Sequence, residues 1–456
     1  MEVALNYKLY DFESNIENEG EARATFDEQH LTLTVMFGDP MLFAFTDIVG
    51  ISDYDYKVDL FLTSKEKLNL WGLGYQYEDF LFQLYKLRNE LMLKYMLMEE
   101  SILHAGFEVQ YTKLEANGQT SQTGNSEVRL YDTALVILPQ KSEPIRFPYC
   151  YITNVNKQDY KLAITNEFQE KIELTKLGQN FDPLAKALSD AINKMILRTQ
   201  QNIKELIPEA TPIAINKLVT LMKDGQAAKR KEIEQYSPDF WRRLTKKIDE
   251  ADMTIEYEYL NSLSAKDHVC VGIKRGLMGD LTGTYIWMLF PLLNPGTNRQ
   301  SNTIALEAFN AKDKTEENKE QQTENTVSNT EEEQKPATTG ATYFFRETGR
   351  KEYLQTKDED LTKELSIFIK NINRSMIEVN FRREPIYLTE NQLDSTEYTQ
   401  YRFAITRIIS LKILRDQFVG RVIHASPKQW KTDVTSLLAF NTKSIDDKEK
   451  WSKGDQ

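Results

Sequence analysis

The side chains that could do chemistry are few and scattered. His30, His104, His268 and His424 are the only histidines in 456 residues. None stands four residues from another or beside a carboxylate motif, the spacing by which a helix offers two imidazoles to one metal ion. Cys150 and Cys270 are the only cysteines, each inside an apolar run, PYCYI and HVCVGI. That setting reads as two reduced core thiols, and without a CxxC they make neither a zinc site nor a disulfide framework. Gly276, Gly279 and Gly283 in GLMGDLTG lack the spacing that cradles a phosphate and fit a hairpin turn better. Asp53 and Asp55 have the look of a pair for a metal or a sugar nucleotide. No catalytic, cofactor or metal residues are expected, and an enzyme here would need a constellation gathered from distant segments.

Charge narrows the partners. With 57 Lys and Arg against 69 Asp and Glu, the net charge of -12 repels polyanions and argues against broad binding to nucleic acid or acidic membranes. The best local exception is Lys229, Arg230 and Lys231 followed by Trp241, Arg242, Arg243, Lys246 and Lys247. It fits a docking site for an acidic partner or nucleic acid, with Arg382 and Arg383 as a further basic pair. It equally fits a solvated helix face balanced by Glu232, Glu234, Asp249 and Glu250. The opening MEVALNYKLYDF has no basic stretch followed by an apolar one, and no run approaches the ~18 apolar residues of a membrane span. The expectation is a soluble cytoplasmic protein.

The elements that would hold any site come in two copies. Shifting the chain by 104 positions lays Asp55-Tyr56-Lys57 on Asp159-Tyr160-Lys161, Pro40 on Pro144, and Leu73-Gly74 on Leu177-Gly178. Between 40 and 84 the gapless shift gives twelve identities: Pro40, Phe43, Ile48, Asp55, Tyr56, Lys57, Glu66, Lys67, Leu70, Leu73, Gly74 and Leu84. Ordinary residue usage would give about three. Other pairs swap like for like, as Val58/Leu162, Leu60/Ile164 and Leu68/Ile172 do, so what persists is a buried pattern. The repeat also weakens the metal-pair idea, because position 53 becomes Lys157 while Asp55 persists as Asp159. The shared Asp55, Tyr56, Lys57, Asp159, Tyr160 and Lys161 read as a hairpin-turn signature or a reused surface site.

Within each copy the period is two, then 3.6. Val3, Leu5, Tyr7 and Leu9, then Leu31, Leu33 and Val35, then Met41, Phe43 and Phe45, then Val58, Leu60 and Leu62 alternate as half-buried strands do. Thr63-Ser64-Lys65-Glu66 reads as a hairpin turn. After Gly74 the spacing changes: Phe80, Leu84, Leu87 and Leu91 form one helical stripe, matched by Leu184, Leu188, Ala191 and Met195. Each copy is thus about seven short strands closed by a helix.

This order resembles the pleckstrin-homology-like (PH-like) fold, in which a helix plugs one end of a bent β-sandwich, and the resemblance covers about residues 1–200 twice over. Lipid-binding members of that family set Lys and Arg in the first loop. Here that loop reads ESNIENEGEA and EANGQTSQTGNS, and phosphate needs cationic or amide donors. Nor do 80–100 and 184–200 hold the closing-helix Trp of the family. The resemblance therefore implies the fold and argues against phosphoinositide binding.

Beyond 200, Ile213, Leu218, Leu221 and Met222 at helical spacing, and a helix start at Ser237-Pro238-Asp239, read as a helical connector over 201–250. Strand signals return in MTIEYEYL, HVCVGI, TYIWMLFPLL, NTIALEAF and ATYFFRE, followed by a helix carrying Leu361, Leu365, Phe368, Ile369, Ile372 and Met376. Between them 312–340 is nearly free of apolar residues and reads as a disordered insert. The expected organisation is α+β: PH-like modules at 1–101 and 102–200, the connector, and a third strand-rich PH-like module at 251–384. C-terminal helices follow at 385–441, one of them running from Tyr401 to about Val422, and then a tail at 442–456. The expected role is a non-enzymatic interaction or scaffold protein with protein partners and no cofactor. Nucleic-acid or anionic-surface binding through 229–247 is the alternative.

Overall fold

The computed structural model describes residues 2–96, 100–275, 283–293, 300–311, 340–346, 357–393 and 395–443. The chain divides into two compact units, Met1–Ile192 and Asn193–Gln456, and its class is α+β.

The first unit contains copy one and copy two as far as Ile192, within the closing helix of the second copy. Copy one runs β1 (Glu2–Tyr10), β2 (Ile16–Phe26), β3 (His30–Val35), β4 (Met41–Ala44), β5 (Ile48–Tyr54), β6 (Lys57–Leu62), β7 (Lys67–Trp71) and α1 (Tyr77–Tyr95). Copy two runs β8 (Ile102–Leu114), β9 (Thr120–Tyr131), β10 (Ala134–Pro139), β11 (Ile145–Pro148), β12 (Ile152–Gln158), β13 (Lys161–Asn166), β14 (Lys171–Thr175) and α2 (Phe181–Leu206). The sheets have the same order, β4-β3-β2-β1-β7-β6-β5 and β11-β10-β9-β8-β14-β13-β12, and the paired strands are antiparallel. From β3 to the start of the helix every boundary repeats at an offset of 104.

Burial explains why the copies share a backbone. Val58, Leu60, Leu68, Leu70, Phe80 and Leu84 are buried in copy one, and their counterparts Leu162, Ile164, Ile172, Leu174, Leu184 and Leu188 are buried in copy two. Asp55-Tyr56 and Asp159-Tyr160 form the two-residue turns of β5–β6 and β12–β13, each with two successive positive φ angles, 46° and 59° against 51° and 56°. This mirror-image turn matches the right-handed twist of the strands it joins. Its second residue also stacks edge-on against the start of the helix, Tyr56 on Tyr77 at 5.4 Å and Tyr160 on Phe181 at 5.8 Å.

The second unit departs from the expected third module. Its six-stranded sheet runs in chain order: β15 (Ala228–Lys229), β16 (Cys270–Arg275), β17 (Thr284–Leu293), β18 (Gln300–Asn310), β19 (Ala341–Arg346) and β20 (Phe418–Ile423). The first strand comes from the helical connector and the last from far beyond 384, so the sheet does not close within 251–384. The connector otherwise holds α3 (Pro212–Leu221), α4 (Arg230–Glu234) and α5 (Phe240–Glu250).

MTIEYEYL is not a strand but lies mainly in α6 (Thr254–Ser262). Its buried residues, Glu256, Tyr257 and Leu260, have helical spacing although its letters alternate. The helix expected from Tyr401 to Val422 breaks at Ile408, whose ψ of 100° is extended. The segments are Thr399–Arg407, Ile409–Gln417 and then β20, where the β-branched FVGRVI pairs with β19. Cys150 lies in a 3-10 turn, Tyr149–Tyr151, and not in a strand. The insert 312–339, Gly276, Gly279 and the tail from 444 lie outside the described residues.

Candidate functional site

Copy one and copy two share a core but not a surface. Among the described residues of copy one, eleven large apolar side chains are exposed: Phe12, Ile16, Met36, Phe37, Leu42, Val49, Tyr54, Tyr56, Phe61, Tyr75 and Phe82. At an offset of 104 their places are taken by Ala116, Thr120, Gln140, Lys141, Arg146, Thr153, Gln158, Tyr160, Thr165, Gln179 and Lys186. Only Tyr56 keeps its aromatic counterpart, at the turn both copies need. Scattered exposed apolar residues are ordinary, but a set removed position by position in a duplicate of the same backbone marks a surface put to different use.

Five of these residues or their neighbours share one face. Cross-strand partners in an antiparallel sheet point to the same side. Tyr10 faces Ile16 on β2 and Lys67 on β7, Lys67 faces Phe61 on β6, and Phe61 faces Gly50 on β5. The row Ile16, Tyr10, Lys67, Phe61 therefore crosses the sheet on the side away from Val58, Leu60 and Leu62, which fill the core. Trp71 and Tyr54 lie on that side too, by the alternation of β7 and β5. Asp59 is the polar hub of this face: it accepts from Asn69 Nδ2 at 2.5 Å and Tyr54 Oη at 3.2 Å, with Lys67 Nζ 3.7 Å away. The Lys67 ammonium also sits 4.8 Å from the centre of the Tyr10 ring, a cation–π contact.

On copy two the same row reads Thr120, Leu114, Lys171, Thr165. Ala163 replaces Asp59, and Glu173 replaces Asn69 and pairs with Lys161 at 3.1 Å and Lys171 at 2.6 Å. Hydrogen bonding by Lys171 and then Lys161 holds the Glu173 carboxyl below its ordinary value against the opposing effect of burial. One face is aromatic, the other ionic.

Where the copies meet inside the unit, α1 receives the β10–β11 loop. Arg88, buried, donates to the Ile48 carbonyl at 2.9 Å and to Glu143 Oε1 at 2.9 Å, and Asn89 donates to the Ser142 carbonyl at 2.8 Å. Beside this junction lies a cleft of about 580 Å³ lined by α1 and β8–β10. Arg129 spans it, bonded to Glu90 and Glu127 at 2.7 and 2.9 Å. The buried Ser126 Oγ and Asn89 Oδ1 have no hydrogen-bond partner among the described residues.

The basic cluster expected from sequence is brought together in the second unit but is largely neutralised. Arg230 pairs with Glu234 at 2.7 Å, Arg242 with Asp239 at 3.2 Å, Arg243 with Glu209, and Lys246 and Lys247 with Glu250 at 3.7 and 2.6 Å. Lys229 donates to Ser366 Oγ at 2.9 Å, and Lys231 is exposed. Trp241 is buried: its Nε1 donates to Tyr257 Oη at 2.8 Å and the Arg230 guanidinium covers its ring at 4.8 Å. Glu209, distant in sequence, was not among the acids that sequence pairs with the cluster.

Sequence spacing also gave no hint of a buried polar group in this unit. His424 Nε2 lies 3.1 Å from Glu307 Oε2, Thr342 Oγ1 donates to the same oxygen at 2.6 Å, and Trp430 Nε1 donates to Thr342 Oγ1 at 3.0 Å. Burial pushes the imidazole pKa down, but the charge and hydrogen bond of Glu307 outweigh it and leave it raised. Thr342 is wholly buried, so the group reads as a structural tie between strands. Burial pushes the Cys270 thiol up to about 12, which leaves it unreactive. Among the described residues no His, Cys, Asp and Glu group is placed to hold a metal ion, and no helix is long and apolar enough to cross a membrane.

No family model matches the chain, and no curated protein matches it. Among solved structures it is similar to the C-terminal domain of an unknown protein from Leishmania infantum, at 13% identity and a TM-score of 0.18 over 23% of this chain and 96% of that one. It is also similar to the Spt16D Pob3N heterodimer, at 15% identity and a TM-score of 0.15 over 36% of this chain and 83% of that one.

Proposed function

We propose that this chain is a non-enzymatic interaction protein of the cytoplasm, built on two PH-like modules of which the first carries the docking surface. The PH-like reading rests on the seven-stranded antiparallel sheet closed by a helix, twice over. The observation that carries the function is the row Ile16, Tyr10, Phe61 with Trp71 and Tyr54 on copy one. Aromatic and aliphatic side chains clustered on a sheet face are the residues from which binding hot spots are made, and the duplicate shows that the fold does not need them there. Phosphoinositide binding is disfavoured by the acidic first loop. The alternative, nucleic acid at 229–247, is disfavoured by the acids that pair with five of its cations.

The test is quantitative pull-down from native lysate with the wild-type chain and with Ile16→Thr/Phe61→Thr, which installs the residues of copy two. Partners recovered by the wild type and lost from the variant support the reading. Identical recovery from both would defeat it, and recovery lost only on charge reversal of Lys229, Arg230 and Arg243 would favour the alternative.

A further inference from the structure

Charge divides between the copies as unevenly as apolar surface does. Residues 1–101 hold 19 Asp and Glu against 8 Lys and Arg, while 102–192 hold 11 against 9. Much of the difference borders the aromatic face. Asn6 opposite Glu21, and Lys8 opposite Glu19 and paired with it at 2.8 Å, place both glutamates on the side of Tyr10 and Phe61, and Glu17 adjoins Ile16. On copy two the three glutamates become Ser121, Thr123 and Asn125. Asp11 and Glu13, in the turn before Ile16, add to the acidic rim; Glu13 becomes Asn117, whereas Asp11 stays acidic as Glu115. The anchors Ile16 and Phe61 and most of the acidic rim are thus present together on one copy and replaced together by polar residues on the other.

Resting on the reading of copy one as a docking surface, we propose that its occupant is a cationic protein segment, rich in Lys or Arg, with apolar side chains that seat on Ile16, Tyr10 and Phe61. A surface of this sign attracts basic partners and repels lipid headgroups, nucleic acid and a second copy of the same acidic face. The Tyr10 ring already takes a lysine ammonium, that of Lys67, and Tyr54 and Trp71 offer aromatic rings to a partner's cations on the same side.

The experiment measures fluorescence anisotropy of the full chain with three labelled synthetic peptides of equal length: alternating Lys and Leu, alternating Lys and Ser, and alternating Glu and Leu. The Lys–Leu peptide binds tightest, and its affinity falls with salt. Ile16→Thr/Phe61→Thr weakens it about tenfold or more, as loss of two apolar anchors should. Glu17→Ser/Glu19→Thr/Glu21→Asn weakens it too and flattens the salt dependence. Both variants carry only residues that copy two already folds with. Equal affinity for the Lys–Ser peptide overturns the role of the anchors. If Glu–Leu binds as well as Lys–Leu and is still lost with the anchors, the cationic occupant is wrong while the docking surface stands. If neither variant changes any peptide affinity, both fall. Binding of an anionic vesicle or an oligonucleotide as tight as that of Lys–Leu, or a dimer by sedimentation that the anchor variant abolishes, also overturns the proposal.

Discussion

Copy one and copy two are an internal control within one molecule. Their strands share order and, from β3 on, boundaries, and most of their core positions exchange like for like, so the demands of folding are similar between them. What changes is what those demands leave free. Phe61 and Thr165 occupy the same place on the same strand, as do Ile16 and Thr120, and Asn69 and Glu173. A difference that the fold tolerates at each of these places, and that gathers on one face, belongs to function and not to stability.

The largest effects should be those on which the copies agree. Leu84 and Leu188 are both fully buried at the same point of the closing helix. Leu84→Ala and Leu188→Ala should each cost about 3 kcal/mol, the usual penalty for lost burial plus an unfilled cavity. Chemical denaturation followed by amide hydrogen exchange within each copy measures both; a cost below about 1 kcal/mol at either would break the claim of a shared core. Next is a residue with no counterpart. Arg88 is buried and ties the Ile48 carbonyl to Glu143, whereas position 192 is Ile. Arg88→Met keeps the bulk and removes those hydrogen bonds, and should cost about 2 kcal/mol. Glu143→Gln, whose side chain is more exposed, should cost much less.

The part of this comparison that was legible in the sequence is the part that burial dictates. Pairs such as Leu60/Ile164 and Leu68/Ile172 cannot drift without loss of core, so the gapless offset survived and fixed strands, turns and helix. The docking face left no such trace, because an apolar residue in a strand reads as core. Phase was the available signal: Phe61 is out of step with Val58, Leu60 and Leu62, and its duplicate is Thr165. The second unit was less legible for two reasons. In α6 the letters of IEYEY alternate although burial at 256, 257 and 260 is helical. In β20 the pairing partner, β19, lies about seventy residues upstream, and no local pattern announces such a contact. The tie between Glu307 and His424, 117 residues apart, was hidden for the same reason.

A smaller effect, unequal in the two copies, comes from exchanging Asn69 and Glu173. Asn69→Glu sets a second carboxylate against Asp59, which is 6% exposed, and removes the hydrogen bond Asn69 gives it. Copy one should lose about 1 kcal/mol at neutral pH. Glu173→Asn should cost less, because its lysine pairs lie near the surface, where such pairs are worth roughly 0–1 kcal/mol.

The smallest effect is the pH dependence of that second exchange. The Glu173 carboxyl is held below its ordinary value by hydrogen bonds from Lys171 and Lys161. A group lowered on folding contributes stability above its unfolded pKa, near 4.3 for a free glutamate, and loses it as pH falls through the folded value. Between pH 7 and pH 3.5, then, the wild type should lose slightly more stability than Glu173→Asn, and the gap should close on adding salt, which screens exposed charges. Paired urea titrations at both pH values measure this. A Glu173→Asn chain with the same acid sensitivity as the wild type would mean that the ionic face of copy two holds nothing together, and that it differs from the aromatic face of copy one in chemistry offered to solvent and not in stability.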